Sequence, residues 1–324
     1  MHTIEGENEL VLTCAETADG VAVLRCETQD SEVRLPDAID GAPVVQLGAY
    51  ALSERVPRLA GGETFTVRVT CGGAAPVHDA NAIRAVTLPA SLRAVESYAF
   101  FNCRRLERLE LTGAVRGFGG GALMNCRALA GVRFAAAPDA PTCLRRLLGE
   151  HAGELDVTLT GGGSAVRLLF PAYSEELEAL TPAHIFQRRI HGAGYGYREC
   201  FNGDTLSLHQ YDRAFVTLLD RHDFAVAARV AVRRLSAPYE LADAARADYL
   251  ACLRSHGGAL ARRCAKAGES AALTFLLSLG VLSSADVSAA CDAARESEQT
   301  AALSVLLAAT GQNAPRGRAK SFDL

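Results

Sequence analysis

The sequence predicts an α+β protein: an N-terminal stack of short β-repeats followed by an all-α array of helical hairpins. Three observations predict it. Residues 86–111 (VTLPASLRAVESYAFFNCRRLERLEL) recur at 109–134 (LELTGAVRGFGGGALMNCRALAGVRF) with a 23-residue step and no gap. Beyond Pro171, apolar residues repeat at spacings of three and four almost to the end of the chain, which is the helical period. Within that part, Ala271-Ala-Leu-Thr-Phe-Leu-Leu277 matches Ala301-Ala-Leu-Ser-Val-Leu-Leu307 at a step of 30. A length of 324 residues with 49% hydrophobic and 22% charged residues fits about two domains, each able to bury a core. The expected boundaries are 1–172 for the β-repeats with an N-terminal hairpin cap, 173–312 for the helices and 313–324 for a frayed tail.

The elements follow in order. Residues 10–14 and 21–26 alternate apolar and polar around a turn at Ala18-Asp-Gly20, so they read as a hairpin covering the open end of the stack. A first, looser repeat runs from Val33-Arg-Leu-Pro36 to Leu47-Gly-Ala-Tyr-Ala-Leu52, and 53–85 holds an irregular coil or a loop with its strand at 64–71. Each later copy supplies one short strand, at 86–88, 109–111 and 132–134. A single copy cannot bury its apolar side alone, so successive strands are expected to stack in parallel and share a core. Ala99 and Ala122 are then small because the interior is narrow, and Leu106 and Leu129 fill it. Asn102 and Asn125 are expected inside, with their amides bonded to neighbouring turns, while Cys103 and Cys126 form a buried ladder. Stacked turns about 4.8 Å apart also permit a redox pair at these cysteines, but repetition alone produces such a ladder, and the structural reading is preferred.

The pattern Val-Thr-Leu-Pro-x-x-Leu-x-x-Val-x-x-Tyr-Ala-Phe-x-Asn-Cys-x-x-Leu-x-x-Leu at 86–109 resembles the BspA-like (bacterial surface-antigen-like) leucine-rich repeat, over about residues 1–135. The resemblance implies a leucine-rich-repeat solenoid and a role in adhesion, scaffolding or recognition. Residues 142–151 then read as a short helix, and 155–159 and 165–170 as a closing hairpin around Gly161-Gly-Gly163. No Gly-Lys-[Ser/Thr] follows those glycines, so a phosphate loop is not expected.

Helices are predicted at 174–180, 182–190, 211–221, 224–235, 240–256, 259–267, 270–279, 284–295 and 298–309. The last four form two copies of a short Ala-rich helix, a tight turn and an Ala-Ala-Leu-x-x-Leu-Leu helix. This is similar to an ankyrin repeat, although the step is 30 and no Thr-Pro-Leu-His opening is present. Between strands and helices lies Ile190-His-Gly-Ala-Gly-Tyr-Gly-Tyr-Arg-Glu-Cys-Phe201, the one segment where chemistry-bearing side chains crowd around glycines. His191, Tyr195, Tyr197 and Arg198 are the candidate ligand or partner residues. The preferred reading is an interdomain turn with its tyrosines packed on the repeats; a ligand or peptide contact comes next, and a Cys200–His191 nucleophile pair last.

Composition narrows the function. The net charge of −4 divides evenly, with 13 basic and 16 acidic residues in 1–134 and 20 and 21 in 135–324, so nucleic acid is not an expected partner. The start of the chain has neither a basic nor an apolar leader region, and the richest apolar run, 271–282, is too short to span a bilayer. A cytoplasmic protein without membrane contact is expected. The ten cysteines show no Cys-x-x-Cys spacing, so reduced, buried thiols are expected, with no metal and no cofactor. The expected function is a bacterial, non-enzymatic scaffold or recognition module for a protein partner. The alternatives are a small-molecule or peptide sensor or enzyme at 191–200, and a cell-surface adhesin.

Overall fold

The computed structural model describes residues 2–56, 62–180 and 185–313. It is a mixed α+β protein with eight helices and several sheets among those residues, none closed into a barrel. Two compact units, Met1–Ala214 and Phe215–Leu324, divide inside a helix and not at 172.

The first unit opens with β1 (His2–Glu5), β2 (Leu10–Thr17) and β3 (Gly20–Glu27). Alternation places Leu10, Leu12 and Cys14 fully inside, and β2 and β3 form the expected antiparallel hairpin. Next come β4 (Glu32–Arg34), β5 (Ala38–Ile39), β6 (Ala42–Leu47), β7 (Phe65–Thr70), β8 (Ala85–Thr87) and β9 (Ala94–Val95). They are followed by β10 (Arg108–Thr112), β11 (Gly117–Phe118), β12 (Gly131–Ala135), α1 (Leu144–Glu150), β13 (Leu155–Gly161) and β14 (Ser164–Phe170).

These strands make two sheets. One runs β14-β13-β12-β10-β8-β4, the other β1-β7-β2-β3-β6-β9-β11 with β5 attached to β6. The sequence repeat appears as parallel register in both: Val86, Leu109 and Val132 are successive partners in the first, and Val95 and Phe118 in the second. The first copy joins both sheets, pairing Val33 with Val86 and Leu47 with Val95. The β5–β6 hairpin lengthens this copy between its two strands. Val86, Leu109, Leu111, Val132 and Phe134 are at most 2% exposed, so the shared core lies between the sheets.

Two expectations change here. The strand in 53–85 does not join the repeat stack; β7 pairs antiparallel with β2 and parallel with β1, widening the N-terminal hairpin. Glu9 fastens it, accepting hydrogen bonds from Thr70 Oγ1 (2.7 Å), Cys71 N (2.9 Å) and Gly73 N (2.6 Å). The Thr70 hydroxyl above all, with these amides, lowers the Glu9 pKa from 4.5 to about 2. A carboxylate held low stabilises the fold fully above pH 4.5, and that contribution disappears as the pH falls towards 2. The melting-temperature difference between the native protein and Glu9→Gln should therefore be largest at pH 6 and shrink steadily below 4.5. A pH-independent difference would refute the role assigned to the charge.

Second, 174–180 and 182–190 are not helices. They lie on β15 (Ser174–Leu180) and β16 (Ile185–His191), an antiparallel pair, with 181–184 outside the described residues. A seven-residue segment with one apolar side satisfies either period, and cross-strand pairing decides: Arg188 Nε donates to Glu175 Oε2 at 2.9 Å. The unit ends with α2 (Gly194–Arg198), the small hairpin of β17 (Phe201–Asn202) and β18 (Thr205–Leu206), and α3 (Leu208–Asp220), which crosses the boundary.

The second unit contains α4 (Phe224–Ser236), α5 (Asp243–Ala267), α6 (Ser270–Ser278), α7 (Ser284–Glu296) and α8 (Thr300–Asn313). Asp223 caps α4 through Val226 N, and Ser283 with Asp286 forms a capping box on α7. The 30-residue step is structural. α5 ends on Gly268 (φ 71°) with Glu269 N bonded to Cys264 O, and α7 is followed by Glu298 (φ 56°) with Gln299 N bonded to Ala294 O, both at 2.9 Å. Both ends have the left-handed closing geometry of a helix C-terminus. The break expected between 256 and 259 is absent, because Gly257 and Gly258 lie within one continuous helix. Of the predicted tail, Asn313 closes α8 and 314–324 lie outside the described residues.

Candidate interaction surface

The six-stranded sheet buries one face and opens the other. Alternation along β8, β10, β12, β13 and β14 brings Thr87, Glu110, Arg133, Thr158 and Arg167 into one register row on the open face. They line a shallow groove of about 690 Å³, together with Arg108, Thr112, Asp156 and Thr160. Charges alternate across it: Arg108 lies 2.9 Å from Glu32, Arg133 3.5 Å from Glu110 and Arg167 3.4 Å from Asp156. Such part-exposed pairs contribute about 0–1 kcal/mol each, so they can exchange partners at little cost. Gly131 and the threonines keep the floor low between the long side chains. Strand alternation was the sequence signal for this face, but it does not reveal which strands become neighbours.

The predicted ladder is placed as follows. Ala99, Ala122, Leu106 and Leu129 are all at most 3% exposed. Cys103 Sγ lies 3.3 Å from Leu52 O and Cys126 Sγ 3.1 Å from Phe100 O, each thiol donating to the neighbouring turn. Asn102 and Asn125 are not inside. Both adopt φ 65°, a conformation Asn tolerates, on the outer edge of their turns, and Asn125 Nδ2 donates to Asn102 Oδ1 at 2.8 Å. The amides bond to each other because the left-handed backbone points them outward along the stack.

The segment 191–200 is packed into the first unit. Arg198 is 6% exposed, and its guanidinium donates to the carbonyls of Pro171 (2.6 Å), Gly153 (2.7 Å), Gly194 (2.9 Å) and His151 (2.9 Å). It also stacks 4.7 Å over Tyr173. Burial lowers its pKa to about 10, so it stays charged at neutral pH. Gly194 is required here, since a Cβ would stand 1.9 Å from Pro171 O. Tyr197, 1% exposed, packs edge-on against Tyr211, whose hydroxyl donates to Leu169 O at 2.7 Å. Tyr195 lies edge-on to Tyr173 and beneath Arg188. His191 is exposed and 3.3 Å from Glu176, while Cys200 donates to Gly196 O and has its pKa pushed up to about 12 by burial. The two therefore engage separate partners, and the thiol is protonated at neutral pH.

Burial also raises the pKa of Cys14, Cys126 and Cys143 to about 12, and of Cys252 and Cys264 to about 11. Of the ten free cysteines, only Cys71 is exposed. A small alkylating reagent should therefore add one group to the native protein and nine more after denaturation, read by intact mass. Rapid native labelling at two or more thiols would contradict this packing. Among the described residues, no cluster of His, Cys, Asp and Glu could hold a metal ion, and no helix is long and apolar enough to cross a membrane.

No family model and no curated protein matches the chain. A solved structure to which it is similar is a leucine-rich repeat protein of T. pallidum, TpLRR. The two are 19% identical with a TM-score of 0.22, over 38% of this chain and 68% of that one.

Proposed function

We propose that the protein is a bacterial, cytoplasmic, non-enzymatic interaction module. In this reading its first unit is a BspA-like leucine-rich-repeat solenoid, its second an ankyrin-like array of helical hairpins, and its ligand another protein. The observation that carries the reading is the open sheet face, where repeated strands display Glu110, Arg133, Thr158 and Arg167 in register above a groove of about 690 Å³. A rigid row of alternating charges and hydroxyls suits recognition of a polypeptide surface through exchanged ion pairs and hydrogen bonds. Buried, protonated thiols and the packed 191–200 segment support a binding role over catalysis, and reduced cysteines support a cytoplasmic location. The balanced charge of the face gives little attraction to nucleic acid.

Site-specific photocrosslinkers test this. Placed at Thr87 or Thr158 and irradiated in a native extract, they should give the same single, stoichiometric protein adduct, whereas the exposed Val77 position should not. No adduct, or an equal one from Val77, would overturn the proposal.

A further inference from the structure

The turns following β6, β9 and β11 stack directly on one another. Leu52 N donates to Ala99 O at 2.9 Å, Phe100 N to Ala122 O at 3.0 Å and Asn102 N to Met124 O at 3.0 Å. Repetition thus lines up matched side chains along the stack. One column is apolar and part-exposed: Tyr50 stacks on Tyr98 with ring centroids 5.1 Å apart, Phe101 stands edge-on to both, and Met124 occupies the next turn's Phe101 position, 45% exposed. Beside it runs a basic column. Arg104 and Arg127 hold equivalent positions on adjacent turns, and Arg105 follows Arg104. All three are exposed, and none has an ion-pair partner among the described residues, in contrast to Arg108, Arg133 and Arg167 on the sheet face.

Like charges on neighbouring turns repel, and an anion laid across them relieves that repulsion. Arginine beside Tyr, Phe and Met is also the composition that dominates protein interface cores. We infer that this edge binds an acidic polypeptide segment. Its carboxylates bridge Arg104, Arg105 and Arg127, and an aromatic or aliphatic side chain of the same segment packs on Phe101 and Met124.

The geometry favours polypeptide over single-stranded nucleic acid. Bases bind by stacking on open ring faces, and here those faces are occupied. Arg55 lies 4.7 Å over Tyr50, and Tyr50 and Tyr98 cover each other. On the next turn, a Cβ added to Gly121 would be 2.4 Å from the Tyr98 ring, so that backbone closes the column.

Fluorescence anisotropy on the full chain tests the inference with three labelled probes: a peptide of three Glu-Glu-Phe-Gly repeats, its Gln-Gln-Phe-Gly counterpart, and a thymidine dodecanucleotide. The acidic peptide should bind at least about tenfold more tightly than the other two, and more weakly as salt is raised. Arg104→Glu with Arg127→Glu should weaken it by about tenfold or more, and Arg104→Gln with Arg127→Gln by less, since repulsion is absent. Glu110→Arg on the sheet face should leave it within about twofold, so this edge and the sheet-face reading can fail separately. Equal binding of the Gln peptide, tighter binding of the oligonucleotide, indifference to both arginine pairs or no binding of the acidic peptide would each overturn the inference.

Discussion

Arg198→Ala should lower the stability of the first unit by about 3–5 kcal/mol, one of the largest effects of any single substitution. The guanidinium is buried without a carboxylate and donates to four carbonyls, those of Pro171, Gly153, Gly194 and His151. Each buried acceptor left unpaired costs about 1–3 kcal/mol. Water admitted to the vacated volume can restore some of those bonds but not the stack on Tyr173. Arg198→Lys should recover less than half of the loss, because an ammonium is a point donor and cannot span four acceptors lying in one fork. Urea denaturation of the three proteins provides the measurement, with hydrogen exchange in β13 and β14 as the local readout. The carbonyls belong to the segments that flank these strands, so exchange there should accelerate first. A loss below about 1 kcal/mol for Arg198→Ala would mean that the carbonyls find other partners, and that the segment is held by Tyr197 alone.

How much of this was legible depended on whether a residue's role came from repetition or from long-range placement. The 23-residue step was readable because Leu109 and Val132 must match to share a core, and their register is the one the alignment implies. Cys103 and Cys126 belong to the same class. Asn102 and Asn125 share the period but lie on the outer edge and not inside, since periodicity fixes that two residues are equivalent and says nothing of backbone sign; their φ of 65° is the deciding fact. The strand at 65–70 pairs with β1 and β2, far away in sequence, and no local pattern encodes that choice. The hairpin of β15 and β16 failed for the opposite reason: its local pattern is compatible with two periods. For the candidate site, Arg198 and Tyr197 stand out by chemistry, but the burial of Arg198 follows from carbonyls contributed by two other segments, 151–153 and Pro171. The open sheet face was hidden because its five residues come from five strands.

In the second unit the largest effect is expected at Gly258, where α5 and the start of α7 come so close that a Cβ would lie 1.9 Å from Asp286 Oδ1 and 2.5 Å from its Cγ. Gly258→Val should cost about 3 kcal/mol. Overpacking accounts for about 1–3 kcal/mol and the displaced capping box for about 1 kcal/mol, offset by a few tenths from the better helix propensity of valine. The box is specific: Asp286 N donates to Ser283 Oγ at 3.2 Å, and Ser283 N to Asp286 Oδ2 at 3.0 Å. Asp286→Ala alone removes only the carboxylate half of the box, since Ser283 Oγ still accepts from the residue 286 amide, and should cost about 0.5–1 kcal/mol. Combining the two removes the group with which valine collides, so the double variant should be more stable than the sum of the single losses predicts. Strict additivity in thermal melts would show that the collision is not the cause. The same contact explains why Gly258 persists inside a 25-residue helix, where a glycine costs about 1 kcal/mol relative to alanine, and Gly257 beside it would bring a Cβ to 3.3 Å from Leu282. They set the distance between α5 and α7, which join the two hairpins related by the 30-residue step. Increasing that distance should loosen the stacking of α6 on α8 as well as the cap.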